Sequence, residues 1–207
     1  MFSLAKTDAR ANFAAQHLLA AQHFCGQVAK IERDGDPSPE RFALPHYIHC
    51  WSATVVFSVM ALEANVYDLM TTADRGEGSV LGCRRFSFAD HRRPLLNRYK
   101  LLHQVLVPNL TFDLSQGVRQ EARALVSFRD ELVHYKTEWR SVAQVSERLE
   151  SLLQGRFTLN PFRCGAVFFP EQCVSGSSAE WAVRVAHSFM VEFANVTGCR
   201  LNVEAAT

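Results

Sequence analysis

Arg129 and His134 stand five positions apart in the stretch LVSFRDELVHYKTEW (residues 125–139), with Asp130 directly after the arginine. An arginine grips anions through a rigid planar fork of donors. A histidine exchanges protons near neutral pH, at around 6.5. An arginine, an acid and a histidine on one helix therefore suit proton transfer at a bound phosphate. Spacing by itself carries little. Arg41 and His46 repeat it, as do Arg98 and His103, and Arg10 and His17 stand slightly further apart. Pro45 interrupts the first of these segments, and Tyr99 follows Arg98 where a polar residue is wanted. Only Arg129 combines a polar successor with a strongly helical surrounding.

On a helical wheel of about 100° per residue, Leu125, Phe128, Leu132, Tyr135 and Trp139 form one apolar stripe. That face is expected to bury itself in a bundle. The opposite side collects Arg119, Arg123, Val126, Arg129, Asp130, Val133, His134 and Thr137. A helix packed by one stripe should present a plainly polar back, and two valines among these charges depart from that. Two readings stay open. In one, the second face meets a neighbouring helix of the same bundle and Arg129–Asp130 is a satisfied pair. In the other, the valines bury against the same helix of a second subunit, and the polar groups line the cleft beside that seam.

The elements around this helix are expected to be helical throughout. A first helix is read over about 4–32, broken by DGDPSP at 34–39. A second follows Pro45 to about Thr71 and is apolar on most of its circumference, which marks it as the central helix. Glu63 lies in the middle of it, and a carboxylate there needs either a partner or an exposed strip. After a loop to about Asp90, a third helix starts near Arg92 with Pro94 in its first turn. Asp113 with Gln116 resembles a capping box for the fourth helix, over 116–138. A shorter helix covers 141–153, and 156–176 reads as a short hairpin or an irregular arm. Ser177 with Glu180 forms a capping box for the last helix, which stops at Gly198. The expectation is an all-α, single-domain, up-and-down bundle of about five or six helices spanning residues 1–207.

Composition narrows the function classes. The chain has 207 residues, 48% of them hydrophobic, and a net charge of +1, so nucleic-acid binding would need a local patch rather than bulk charge. Eighteen of its 22 basic residues are arginine, a skew that codon bias also produces. Six irregularly spaced cysteines, no apolar leader and no long uncharged apolar run point to a cytoplasmic protein with reduced thiols and no membrane partner. His46, His49 and Cys50 have no matching second half, so neither a metal nor another cofactor is expected.

FRDELVHYK resembles the signature of HEPN domains, helical bundles in which an Arg, a polar residue and a His four to six positions on form the site. VFSVMALEANVYDLM is similar to the second helix of such proteins, and SSAEWAVRVAHSFMVEFANVTG to the last helix of one bacterial subset. The resemblance implies a metal-independent endoribonuclease acting on RNA as a homodimer, in a toxin–antitoxin or phage-defence setting with an antitoxin or operon partner protein. It assigns Arg129, Asp130 and His134 as catalytic. Glu63 then becomes the partner behind the site, with Arg119 and Arg123 holding flanking phosphates and Arg84, Arg85, Arg92 and Arg93 extending the patch. The alternative is a non-catalytic HEPN-like module for dimerisation or for binding a nucleotide or partner. One subgroup carries a modifiable Tyr two positions after the His; here Tyr135 follows directly and Lys136 takes that place, a departure from the subgroup's pattern.

Overall fold

The computed structural model describes residues 13–34, 45–74, 86–134, 147–163 and 166–199. Seven helices and no strand occur among them: α1 Phe13–Arg33, α2 Pro45–Asp74, α3 Phe88–His91, α4 Leu95–Leu106, α5 Gly117–Val133, α6 over 147–153 and α7 Gly176–Thr197. The all-α bundle expected from periodicity is therefore the observed class.

The central position falls to α2, which packs against α1, α4, α5 and α7. Its buried side runs Tyr47, Trp51, Val55, Val59, Leu62, Val66, Met70 and Ala73, steps of three and four residues that keep one broad face inward. Thr54 and Ser58 are also buried, and each hydroxyl donates to the carbonyl one turn back, Cys50 and Thr54 respectively. Burying them therefore leaves no unmet donor. By length and composition Pro45–Ala73 would also suit a membrane span, but 56% of its most apolar window is buried inside the bundle.

Phe128 of α5 sits at the middle of an aromatic cluster. Trp51 meets it edge-on at 5.7 Å, Phe169 edge-on at 5.9 Å, Phe157 stacked at 6.1 Å and Trp181 tilted at 6.2 Å. These separations lie in the range where aromatic pairs attract beyond simple burial, by about 0.5–1.5 kcal/mol each. The indole of Trp51 donates to Ser178 Oγ at 2.8 Å, which ties α2 to the first turn of α7. A second tie lies toward the other end of α2, where the Tyr99 hydroxyl reaches Leu62 O and Asn65 Oδ1 while its ring packs on Phe189 and Phe193.

One carboxylate joins three helices. Glu32, at the end of α1, accepts from the Tyr47 hydroxyl of α2 and from the Gly176 backbone N–H of α7, both at 2.7 Å. A negative group at a helix N-terminus meets the unpaired N–H donors and the positive end of the dipole. This contact moves the start of α7. The cap is Ser175, whose hydroxyl accepts from Ser178 N–H, rather than the expected Ser177–Glu180 box; Ser177 Oγ accepts from Thr158 N–H instead.

Other local expectations also shift. Asp113 does not cap α5: its carboxylate closes onto the N–H and hydroxyl of Ser115, and the cap position, Gln116, makes no side-chain bond. A capping box that the periodicity did not suggest, Ser87 with Asp90, starts the one-turn helix α3 ahead of α4. Those bonds and the Arg93 guanidinium hold the Asp90 carboxyl at about 2. Of the two readings of residues 156–176, hairpin or irregular arm, the described residues bear out the irregular one. They are an irregular segment with two 3₁₀ turns, Pro161–Arg163 and Glu171–Cys173, and they bury Phe168, Phe169 and Cys173 in the core. Asn160 holds the turns together through Gln172 O and Val174 O. One of these bonds comes from the Asn160 backbone N–H and the other from its side-chain amide.

Two predictions follow from this packing. A Cβ at Gly176 would overlap the Glu32 carboxylate, the end of a flexible side chain, which must then shift away from Gly176 N–H. Gly176→Ala is expected to cost ~1–3 kcal/mol, read as a lower denaturation midpoint, because it orphans a buried donor. His103 is 1% exposed, and neither ring nitrogen has a hydrogen-bond partner among the described residues. Burial first, and then the Arg119 charge, push its pKa down. The unfolded chain then binds the extra proton, so stability should fall as pH drops below about 6.5. Chemical denaturation at about pH 7.5 and about pH 5.5 should show this loss in the wild type and a smaller one in His103→Phe.

Candidate functional site

The rotation of α5 decides where its polar residues go. Ala122, Ala124, Leu125 and Phe128 are fully buried, and the exposed residues include Gln120, Arg123, Asp130, Val133 and His134. Arg129 lies between the two faces and turns toward α2, where a terminal amine donates to Glu63 Oε1 at 2.6 Å. Glu63 thereby has a partner and also keeps part of its side chain in solvent, so both readings of it hold in part. Arg129 Nε lies 3.2 Å from Asp130 Oδ1, an ion-pair distance without the alignment of a hydrogen bond. The guanidinium is thus flanked by two acids, one on the neighbouring helix and one on its own.

His134 ends the helix. It occupies the C-cap, its backbone N–H donating to Asp130 O at 3.0 Å, and its side chain is exposed. Five residues of α-helix turn a side chain through roughly 140°. Within one chain, Arg129 therefore leans into the α2–α5 contact while His134 stands in solvent. The helix closes at Val133 rather than at 138, and Tyr135, Lys136, Thr137 and Trp139 lie outside the described residues.

Of the two valines read as a seam, Val126 packs partly against the core and only Val133, at 52%, is well exposed. Arg123 is exposed on the same stripe as Asp130 and His134. Arg119 is already engaged: its Nε donates to Glu192 of α7 at 2.7 Å, and its guanidinium covers the Phe112 ring at 4.9 Å. Arg119, expected upstream on the same face as a flanking phosphate contact, thus has partners on α7 and in the turn before α5. Arg92 lies over the Phe88 ring and Arg93 pairs with Asp90, both around α3. Arg84 and Arg85 lie outside the described residues.

Sequence reasoning missed Glu192 and Glu121, the acids that receive arginines on either side of α5. Each sits in an amphipathic stretch where periodicity alone assigns it to solvent. The described thiols are poor nucleophiles. Burial, reinforced by Glu180 and Glu32, raises Cys25 to about 11, and burial with Glu150 raises Cys173 to about 12. Cys50 and Cys199 are raised for the same first reason. His46 approaches Cys50 Sγ at 3.8 Å, but no group of three metal-ligating side chains gathers among the described residues. The chain matches no family model, no curated protein and no solved structure.

The Arg129–Glu63 pair should be measurable. Glu63 retains 37% side-chain exposure, so solvent screens the attraction and a double-mutant cycle with Arg129→Ala and Glu63→Ala should give a coupling of ~1 kcal/mol. A coupling indistinguishable from zero in denaturant titrations would mean that the pair does not hold α5 to α2.

Proposed function

We propose that this chain is a HEPN-like bundle acting as a metal-independent endoribonuclease, a toxin or phage-defence effector of the cytoplasm. The observation that carries the reading is Arg129, held against Glu63 at the α2–α5 contact, with Asp130 and His134 exposed at the same helix end. An arginine gripped from behind by a carboxylate keeps its fork aimed rather than sweeping through solvent. That preorganisation is what charge stabilisation at a phosphate requires.

RNA carries its own nucleophile. Its 2′-OH attacks the adjacent phosphorus as a base withdraws the proton, and the 5′-oxygen leaves with a proton from an acid. His134 takes the proton-transfer role, Arg129 clamps the non-bridging oxygens, and Asp130 orients the arginine. Arg123, on the same stripe, holds a flanking phosphate. Since Arg129 and His134 of one chain diverge, the reading calls for two copies. A twofold seam at Val133 brings the His134 of one copy toward the Arg129 of the other. An antitoxin or operon partner protein would act by covering this seam.

Purified Arg129→Ala and His134→Ala should each lose RNA cleavage by roughly 10²–10³-fold or more while keeping the wild-type melting profile. Wild-type cleavage by purified His134→Ala would remove the assignment. Sedimentation at micromolar concentration should show a dimer, and a monomer would argue against the shared cleft. The second reading, a non-catalytic dimerisation or nucleotide- or partner-binding module, draws on the acids that flank Arg129 and offset its charge. Expressing wild type and the Arg129→Ala/His134→Ala double mutant in a bacterium separates the two. Growth arrest and RNA loss that depend on the pair belong to the nuclease.

A further inference from the structure

An open cleft of about 380 Å³ lies between α7, the first turns of α5 and the turn after α6. Its walls include Gly117, Gln120, Glu121, Arg156, Arg184 and Ser188. The cleft is within the volume range of small-molecule sites, roughly 300–1,000 Å³.

The ion pairing here differs from that elsewhere in the protein. Arg129–Glu63 and Arg119–Glu192 close to 2.6 and 2.7 Å. In the cleft, two guanidiniums share one acid: Arg156 lies 3.5 Å from Glu121 Oε1 and Arg184 lies 3.5 Å from Glu121 Oε2. Charge-assisted N–H···O bonds are normally about 2.7–2.9 Å, so both contacts are loose. Arg156 cannot swing in to tighten its contact, because its Nε donates to Leu152 O at 2.6 Å, which fixes the guanidinium at the end of α6. Among the described residues, two cations against one carboxylate leave a surplus positive charge in this cleft, beside the Ser188 hydroxyl and the Gln120 amide.

We propose that this cleft binds a phosphate monoester group. Such a group carries about −1.5 to −2 charges near neutral pH and accepts paired bonds from guanidinium forks. Arg156 and Arg184 grip its oxygens from two elements, and Ser188 donates a further bond. Glu121 spaces the two arginines and also opposes the ligand's charge. The cleft volume leaves room for a small organic group on the phosphate.

The test is isothermal titration of the full chain with inorganic phosphate and with adenosine 5′-monophosphate, at constant ionic strength in chloride. Wild type should bind at least one of them. Arg184→Ala, at a side chain 60% exposed and so tolerant of truncation, should weaken binding roughly tenfold. Glu121→Gln should tighten it several-fold, since it keeps the shape and removes the opposing charge. A purely structural role for this triad predicts lower stability in Glu121→Gln with no gain in affinity. Equal affinity for the two probes assigns recognition to the phosphate alone; tighter binding of the nucleotide assigns part of it to the rest of the cleft. No binding of either probe, or weaker binding by Glu121→Gln, overturns the proposal. The proposal stands apart from the ribonuclease reading, and Arg184→Ala should leave RNA cleavage at the wild-type rate, so failure here and failure of that reading are told apart.

Discussion

The enclosure of Phe128 is the constraint from which the arrangement of α5 follows. Its ring is fully buried and is touched by rings from α2, from the irregular segment before α7, and from α7 itself. A large side chain fitted into a close-packed interior fixes the rotation of the helix that carries it. A slip of one residue would turn α5 by about 100° and put Arg129 where Phe128 sits, at the cost of a buried charge. Burying an aromatic side chain is worth several times what a partly exposed ion pair contributes, about 0–1 kcal/mol. Packing therefore sets the rotation, and Arg129 meets Glu63 as a consequence.

Charges in this bundle sit along the seams between helices rather than on its outer faces alone. Glu32 binds α2 and α7 to the end of α1, Glu63 receives Arg129 from α5, Glu192 receives Arg119, and Glu121 stands between Arg156 and Arg184. Most of these acids take their partners at normal bond lengths and read as ordinary satisfied groups. Glu121 does not, because Arg156 is held back by a helix-terminal carbonyl. That difference sets the Glu121 cleft, where two arginines face one acid among the described residues, apart from the α2–α5 contact, where two acids flank Arg129.

Much of the architecture is legible in the sequence. The apolar circumference of residues 45–74 marked the central helix, and the stripe through Leu125 and Phe128 marked the buried side of α5, because helical periodicity follows directly from residue type. Helix starts were less legible. The motif at Ser177–Glu180 satisfies the local rule for a capping box, but a carboxylate more than a hundred residues upstream, Glu32, takes the Gly176 N–H and moves the cap to Ser175. Asp113 likewise satisfies a nearer donor, Ser115, before it can reach the helix. Local motifs propose partners, and distant groups compete for them.

The same division applies to the candidate site. From the sequence alone came the helical bundle, the singling out of Arg129, Asp130 and His134, and the expectation that Glu63 needs a partner. Tertiary structure alone decided that the partner is Arg129, that Arg119 belongs to Glu192, that Val126 packs inward, and that His134 stands at the helix end on another side from Arg129. Residue types and their order determine which face of a helix is apolar, since that depends only on periodicity. Which charge meets which depends on the rotation and neighbours of each helix, and those are fixed by contacts between residues far apart in the chain.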